Sequence, residues 1–262
     1  MPSQPKRPTA LTIAGSDSGG GAGLQADLKA FSAARVHGTT AITCVTAQNP
    51  QGVDAIEPVS ASLLDQQIAA VCAAFPVRAI KTGMLYSKEL VLVVEHWIAR
   101  TPDIPWVIDP VLISTSGASL LKPDALDAYK TKLFPRAALL TPNISEAEAL
   151  VGKKITDPEA MREAAKVLFK TYGLPILVKG GHLGAGPTAL DILHTGIGEW
   201  LLQSPRVHGV KTHGTGCTLA ASVAAHLALG KPLLESVIAA KKTVTNAIKN
   251  TFRTGHQHVL NP

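Results

Sequence analysis

The sequence predicts an α/β protein built on a mainly parallel central sheet with helices on both faces. Three observations carry that expectation. Short apolar strands rich in Ile, Val and Thr alternate with longer segments of helical period nearly from end to end, as when each parallel strand is followed by a crossover helix. The strand segments read as short apolar runs, as strands covered on both faces do. Chemically unusual residues fall directly after those runs, where ligands bind in open α/β sheets.

The first strand, residues 10–14, runs into the glycine-rich stretch G-S-D-S-G-G-G-A-G at 15–23 and then a helix marked by Leu24, Leu28 and Phe31. A strand at 39–47 precedes a helix carrying Leu64, Ile68 and Val71, with Ser62 and Asp65 resembling a capping box at its start. Further strands are expected at 77–81, 106–109, 137–141 and 176–179. Asp157-Pro158 opens another helix, with Asp as N-cap and Pro at the first helical position. Beyond Lys179 the pattern turns strand-rich, at 189–194, 200–203 and 206–210, and is expected to add a small hairpin region at one sheet edge. Two helices close the chain, at 214–229 and 233–251. Residues 1–9 read as a flexible tail and 10–262 as one domain, without internal repeat or linker.

Composition narrows the function. A chain of 262 residues with 46% hydrophobic content can bury a full core. The net charge of +6 contains no basic block longer than Lys153-Lys154 or Lys241-Lys242, and only 4% of residues are aromatic. Nucleic-acid binding is therefore not indicated, whereas a small anionic substrate suits the charge. The basic start has no extended apolar segment behind it, and no run reaches the roughly 18 apolar residues of a membrane span. A soluble and, by default, cytoplasmic protein is expected. Cys44, Cys72 and Cys217 make an odd number without C-x-x-C spacing, which suggests neither a disulfide framework nor a zinc site.

The motifs point to phosphoryl transfer. T-H-G-T-G-C-T-L, at 212–219, places two glycines and Cys217 ahead of an apolar helix. Free N–H groups and the positive dipole end would favour an anion there and lower the thiol's pKa. Cys44 and Cys72 read as packing residues. Asp17, Gln48, Met84, Asp109, Asn143 and Lys179 each follow an apolar run and are expected to line one crevice. Asn143 and Glu146, three residues apart, fit either a phosphate and magnesium site or a helix N-cap with its capping glutamate. Lys179 supplies a cation beside the flexible Gly180-Gly181-His182 turn. His213 reads as a polar packing or ligand contact, and His256-Gln257-His258 as solvated. The segment Gly21 to Ala26 also satisfies G-x-G-x-x-A, a dinucleotide fingerprint, but the next strand ends in Thr46-Ala47-Gln48-Asn49 with no acid for a ribose.

Taken together, G-S-D-S-G-G-G-A-G-L-Q-A-D-L-K, T-A-Q-N, K-T-G-M, D-P-V, T-P-N-x-x-E-A, V-K-G-G-H and T-H-G-T-G-C-T-L closely resemble, in order, the hydroxymethylpyrimidine and phosphomethylpyrimidine kinases of thiamin biosynthesis, members of the ribokinase superfamily. The resemblance implies that ATP phosphorylates 4-amino-5-hydroxymethyl-2-methylpyrimidine to the monophosphate and a second ATP extends it to the diphosphate. It implies Asp27, Gln48, Met84 and Val111 around the pyrimidine, and Cys217 where most ribokinase relatives carry an aspartate base. Gly214, Thr215 and Gly216 would form an anion hole. Asn143, Lys179, Thr212 and His213 would serve ATP, Asp109 and Glu146 would hold Mg2+, and a monovalent cation is left open. A homodimer is also implied. Pyridoxal kinase is the runner-up, disfavoured because Leu112-Ile113-Ser114-Thr115-Ser116-Gly117 lacks a cysteine. A non-catalytic pyrimidine-binding homologue is the reading from another class.

Overall fold

β1 (Thr9–Asp17) pairs in parallel with β2 (His37–Asn49) on one side and β4 (Val77–Thr82) on the other. The computed structural model describes residues 6–112, 120–122, 124–181, 183–184, 186–210 and 213–262. From β4 the sheet continues in parallel through β5 (Trp106–Ile108), β6 (Leu139–Leu140) and β7 (Ile176–Gly180). Antiparallel β8 (Thr188–His194) and β9 (Glu199–Pro205) finish that edge, and antiparallel β3 (Gly52–Pro58) finishes the other. The nine-stranded order is β3-β2-β1-β4-β5-β6-β7-β8-β9. Chain direction across the sheet reverses at β1, so the crevice beyond its carboxyl end is the topological switch point.

Strand alternation builds two cores. Leu11, Ile13, Ile80, Trp106, Ile108, Ile176 and Val178 face α2 (Ala61–Ala74), α3 (Lys88–Arg100), α5 (Ile144–Val151) and α6 (Pro158–Tyr172), with short α4 (Ala125–Ala128) alongside. Their neighbours in sequence, Ala10, Ala79, Val107 and Leu177, face α1 (Gly23–Ala33), α7 (Thr215–Ala228) and α8 (Leu233–Lys249). Small residues on this second face let α7 approach the sheet closely. Nearly every position of α7 from Thr218 to Ala225 is buried, because α1 and α8 enclose its remaining sides.

The mainly parallel sheet, helices on both faces and edge hairpin are thus as expected, with local corrections. Residues 206–210 form no strand, and β3 was not anticipated. The C-terminal segment forms a two-stranded sheet, β10 (Phe252–Thr254) with β11 (Gln257–Val259), leaving His256 exposed but His258 half-buried. The cap of α2 is Ser60, whose side chain accepts from the Leu63 amide, and not Ser62. Asp157 caps α6 as expected, accepting from Ala160 with Pro158 at the first helical position. Residues 1–5 of the expected tail lie outside the described residues, and Thr9 belongs to β1. Among the described residues no helix is long and apolar enough to cross a membrane.

Candidate active site

The carboxyl ends of β1, β2, β4, β5 and β7 and the amino end of α7 enclose a cavity of about 390 Å³. Its first wall is the glycine loop after β1, and Asp17 shapes it. The carboxylate accepts from the amides of Gly19 at 2.8 Å, Gly21 at 3.0 Å and Ala22 at 2.8 Å, which winds the loop around a buried acid. Burial would push this carboxyl up, but hydrogen bonds from His213, Ala22 and Gly19 hold it below its ordinary value. Three of the loop's amides are therefore committed to Asp17. That is the physical objection to the dinucleotide reading, in which such amides would face a pyrophosphate.

The second glycine loop lies against the first. Gly214 has φ +81°, and a Cβ there would collide with the Gly21 carbonyl, so only glycine allows the close approach. Thr218 is the first α7 residue to donate to the turn before it, through its amide to the Gly214 carbonyl at 2.9 Å. The Thr215, Gly216 and Cys217 amides have no acceptor among the described residues. Unpaired amides at a helix start facing a cavity form an anion site.

Cys217 borders the cavity, half-buried, with the Gly23 amide directed at it. The expected lowering of its pKa is not found. Burial pushes the thiol up to about 11, assisted by Asp27 and Asp109, and Lys81 and the Gly23 amide only partly oppose this. Desolvation of a thiolate outweighs the dipole here.

A charged cluster stands beyond the ends of β5, β6 and β7. Lys179 lies 2.6 Å from Asp109, which also accepts from Thr141 at 3.0 Å. Burial disfavours the Lys179 ammonium, but Asp109 and Glu146 hold it above its ordinary value. A Cβ on Gly216 would come within 3.2 Å of the Lys179 Nζ, so this cation adjoins the opening turn of α7. Asn143 and Glu146 form a reciprocal capping box at the start of α5, with hydrogen bonds of 2.9 and 2.8 Å. The helix-cap reading is correct, and both residues nonetheless line the cavity. Burial raises the Glu146 carboxyl to about 7, Lys179 opposes this and Asp109 reinforces it.

At the other end, Gln48, Met84 and Val111 line the wall. The Gln48 Oε1 accepts from Thr46 at 3.1 Å, and its Nε2 meets His213 Nε2 at 3.1 Å. Met84 rests on the buried Cys44, with the sulfurs 3.8 Å apart. His213 bridges Gln48 and Asp17, its Nε2 being 3.4 Å from the carboxylate, so its contacts are with the end of β2 and the first glycine loop.

Asp27 is the residue the structure does not bring in. Its side chain has no exposed surface, does not line the cavity and pairs with Lys81 at 2.9 Å. Burial keeps this carboxylate from the cavity, although its Oδ1 has no partner among the described residues. Thr212, His182 and residues 113–117 of the segment after D-P-V lie outside the described residues. Sequence reasoning missed Lys81 and the Asp191–Lys241 pair at 2.6 Å, which borders the cavity between β8 and α8. The available signal was a charge inside an apolar run, A-I-K-T for Lys81 and A-L-D-I-L for Asp191.

Residues 17–261 match the family described as phosphomethylpyrimidine kinase. The chain is 43% identical over 252 residues to a thiamine biosynthesis bifunctional protein, ThiED, of Geobacter sulfurreducens, covering 96% of this chain but only 51% of that protein. It therefore spans about half the length of that relative. It is 45% identical over 245 residues to a hydroxymethylpyrimidine/phosphomethylpyrimidine kinase of Rhizobium meliloti, covering 93% of this chain and 91% of that one. Among solved structures, an ADP complex of Bacillus subtilis pyridoxal kinase superposes with a TM-score of 0.88 at 34% identity, covering 97% of both chains.

Proposed function

The chain belongs to the phosphomethylpyrimidine kinase family and is a phosphotransferase, and from this we propose that it phosphorylates 4-amino-5-hydroxymethyl-2-methylpyrimidine and then its monophosphate, using ATP. In the first step the hydroxymethyl oxygen forms a bond to the γ-phosphorus, the bond from that phosphorus to the β–γ bridging oxygen breaks, and ADP leaves. The observation that carries the reading is the convergence of Cys217 and three free α7 amides on a cavity whose other end is formed by Gln48, Met84 and Val111.

The Gln48 amide presents donor and acceptor to an aminopyrimidine edge, and Met84 and Val111 flank the ring. The thiolate form of Cys217 takes the hydroxyl proton and becomes the neutral thiol. Burial holds the thiol up to about 11, so the thiolate is the minor form at neutral pH and a strong base, and it accepts the proton late because phosphoryl transfer requires mainly alignment and charge stabilisation. The amides of Thr215, Gly216 and Cys217, with Gly214 setting the turn, receive the charge developing on the phosphoryl oxygens. Lys179 and Asn143 serve the nucleotide phosphates. We assign His213 to Gln48 and the glycine loop, on the strength of its two contacts.

Asp109 and Glu146 offer hard oxygen ligands, and Glu146 stands to gain most from a cation because burial makes its charge unfavourable. Among the described residues no three acids, cysteines or histidines cluster as a metal cage. This suits Mg2+, which commonly takes one or two carboxylates and completes its shell with water and phosphate oxygens. Such an ion would neutralise polyphosphate charge. Homodimerisation and a cytoplasmic location belong to the same reading, the first supported by the unpaired edge of β3.

Magnesium-dependent ADP release tests the proposal, with hydroxymethylpyrimidine, its monophosphate and pyridoxal offered separately. Turnover of both pyrimidines with little of pyridoxal is expected. Turnover chiefly of pyridoxal, the reading that the Bacillus subtilis neighbour favours, would reassign the substrate. No ADP from any of the three would leave a non-catalytic binder.

A further inference from the structure

Two neighbours hold the Gln48 amide in the cavity wall, and their hydrogens decide which way round it sits. On one side the Thr46 Oγ1 lies 3.1 Å from Gln48 Oε1 and 2.9 Å from the Ser16 carbonyl oxygen. A threonine hydroxyl carries one hydrogen, and both of these oxygens are acceptors. On the other side His213 Nε2 lies 3.1 Å from Gln48 Nε2 and 3.4 Å from Asp17 Oδ2. To accept from the amide that ring nitrogen must be bare, and its lone pair then faces a carboxylate. To donate to Asp17 it must carry a hydrogen, and two donors then face each other.

A half-turn of the amide about its last torsion removes both conflicts. That torsion is soft and two-fold, and the turn exchanges oxygen and nitrogen without changing the outline of the side chain. Gln48 Nε2 then donates to Thr46 Oγ1, whose own hydrogen goes to the Ser16 carbonyl. Gln48 Oε1 accepts from the His213 Nε2–H, with the Asp17 carboxylate alongside. The imidazole is held in place, because its Cδ2 packs over Gly21, where an added Cβ would come within 2.9 Å. Asp17 is fixed in turn by the amides of Gly19, Gly21 and Ala22. A continuous chain of donors and acceptors thus runs from the first glycine loop through His213 and Gln48 back to β1.

We propose that His213, backed by Asp17, is a positioning residue that holds Gln48 with its oxygen toward His213 and its nitrogen toward Thr46, and so fixes which way round the substrate ring lies. The inference rests on the pyrimidine reading of the Gln48 end of the cavity. One Nε2 hydrogen and one Oε1 lone pair remain for a ligand. In a 4-aminopyrimidine a ring nitrogen and the amino group are neighbours, so the ring nitrogen meets the amide hydrogen and the amino group meets the oxygen, on the His213 side. The hydroxymethyl group stands on the carbon next to the one that bears the amino group. It therefore lies on that side too, toward the residue that leads into Gly214 and the free amides of α7. Pyridoxal, whose ring nitrogen is flanked by a methyl-bearing carbon and a C–H, offers no donor beside that nitrogen.

The orientation is read directly in the full chain labelled with 15N-glutamine, from nuclear Overhauser cross-peaks of the Gln48 side-chain amide protons. Stronger cross-peaks to the Thr46 methyl than to the His213 ring protons are expected, and the reverse pattern overturns the inference. Its consequence for the substrate is read in His213→Met, which keeps the volume over Gly21 and removes the donor. The KM for hydroxymethylpyrimidine should rise about tenfold while the KM for ATP stays within about twofold, and the preference for that pyrimidine over pyridoxal should fall by a similar factor. His213→Gln, whose amide nitrogen can stand where the imidazole Nε2 stood, should recover most of the loss. A folded His213→Met protein with an unmoved pyrimidine KM, or equal losses for the pyrimidine and ATP, overturns the positioning role. A wild-type protein that turns over neither pyrimidine overturns the kinase reading and the substrate preference with it. The cross-peaks report the amide with or without turnover, so the two failures are told apart.

Discussion

Cys217 shows how burial can reverse what a local motif suggests. From sequence the thiol sits at a helix start and should ionise easily. In the fold, the packed surroundings and two carboxylates raise it to about 11. Cys217→Ala is expected to lose most of the first phosphorylation, whose alcohol must release a proton, and less of the second, whose nucleophile is already an anionic phosphate. Equal losses in single-turnover assays of the two steps would show that the residue acts only by packing. Glu146 gives a prediction of opposite pH sense. The unfolded chain releases this proton near 4.5 and the folded chain only near 7, so the group's contribution to stability is full at low pH and declines as pH rises from about 4.5 to 7. In magnesium-free buffer, Glu146→Gln should raise Tm at pH 8, by an amount equivalent to at most about 3 kcal/mol, and give no gain at pH 4.5. A pH-independent difference would contradict the charge argument. Residues that line the cavity were legible where they followed an apolar run, as Gln48, Met84, Asp109, Asn143 and Lys179 do. Asp27 is expected beside the cavity but lies buried outside its lining, because sequence motif alone does not reveal which way a residue on an amphipathic helix points. The buried partner of that aspartate, 54 positions further along the chain, is a relation only the fold creates.

At the scale of elements, α7 was the most readable and β3 the least. An alanine-rich run following a glycine turn has few alternatives to a buried helix, and the small-residue face of the sheet receives it. β3 carries Asp54, Ala55, Ile56, Glu57 and Pro58, mostly exposed, and owes its strand state to pairing with β2 more than to its own pattern. Residues 206–210 are the converse case. Their composition suits a strand, but Arg206 turns its guanidinium onto the carbonyls of Gly181, Leu183, Gly186 and Thr188 and ties this segment to the connection between β7 and β8. The junction of the two glycine loops gives a direct test of element placement. Gly214→Ala places a methyl against the Gly21 carbonyl at a left-handed backbone position. It is expected to cost about 2 kcal/mol or more, lowering Tm by roughly 5 °C, and to reduce kcat by displacing the α7 amides. A variant with wild-type Tm and rate would mean that the two loops do not depend on this contact.

Across the whole molecule, strand order could be anticipated only as a parallel sheet with a hairpin edge, because pairing partners far apart in sequence leave no local signature. The exposed edge at β3, with Val45 52% exposed on neighbouring β2, is the surface on which a homodimer is expected to form. Light scattering should give a mass of about twice the 27.3 kDa chain, and Val45→Asp should shift it toward the single-chain value. A wild-type mass equal to one chain would remove the dimer. The cavity, finally, takes its walls from opposite ends of the polypeptide: Gly15 lies in β1, while Lys241, Val244 and Ile248 lie in α8. All but four of the residues that line it lie at or before Leu219, and the last long helix supplies the closing wall through Lys241, Val244, Thr245 and Ile248. A C-terminally clipped chain would keep the other walls and lose the one that α8 supplies. Saturating nucleotide, by mass action, deepens the native well alone and draws late intermediates toward completion.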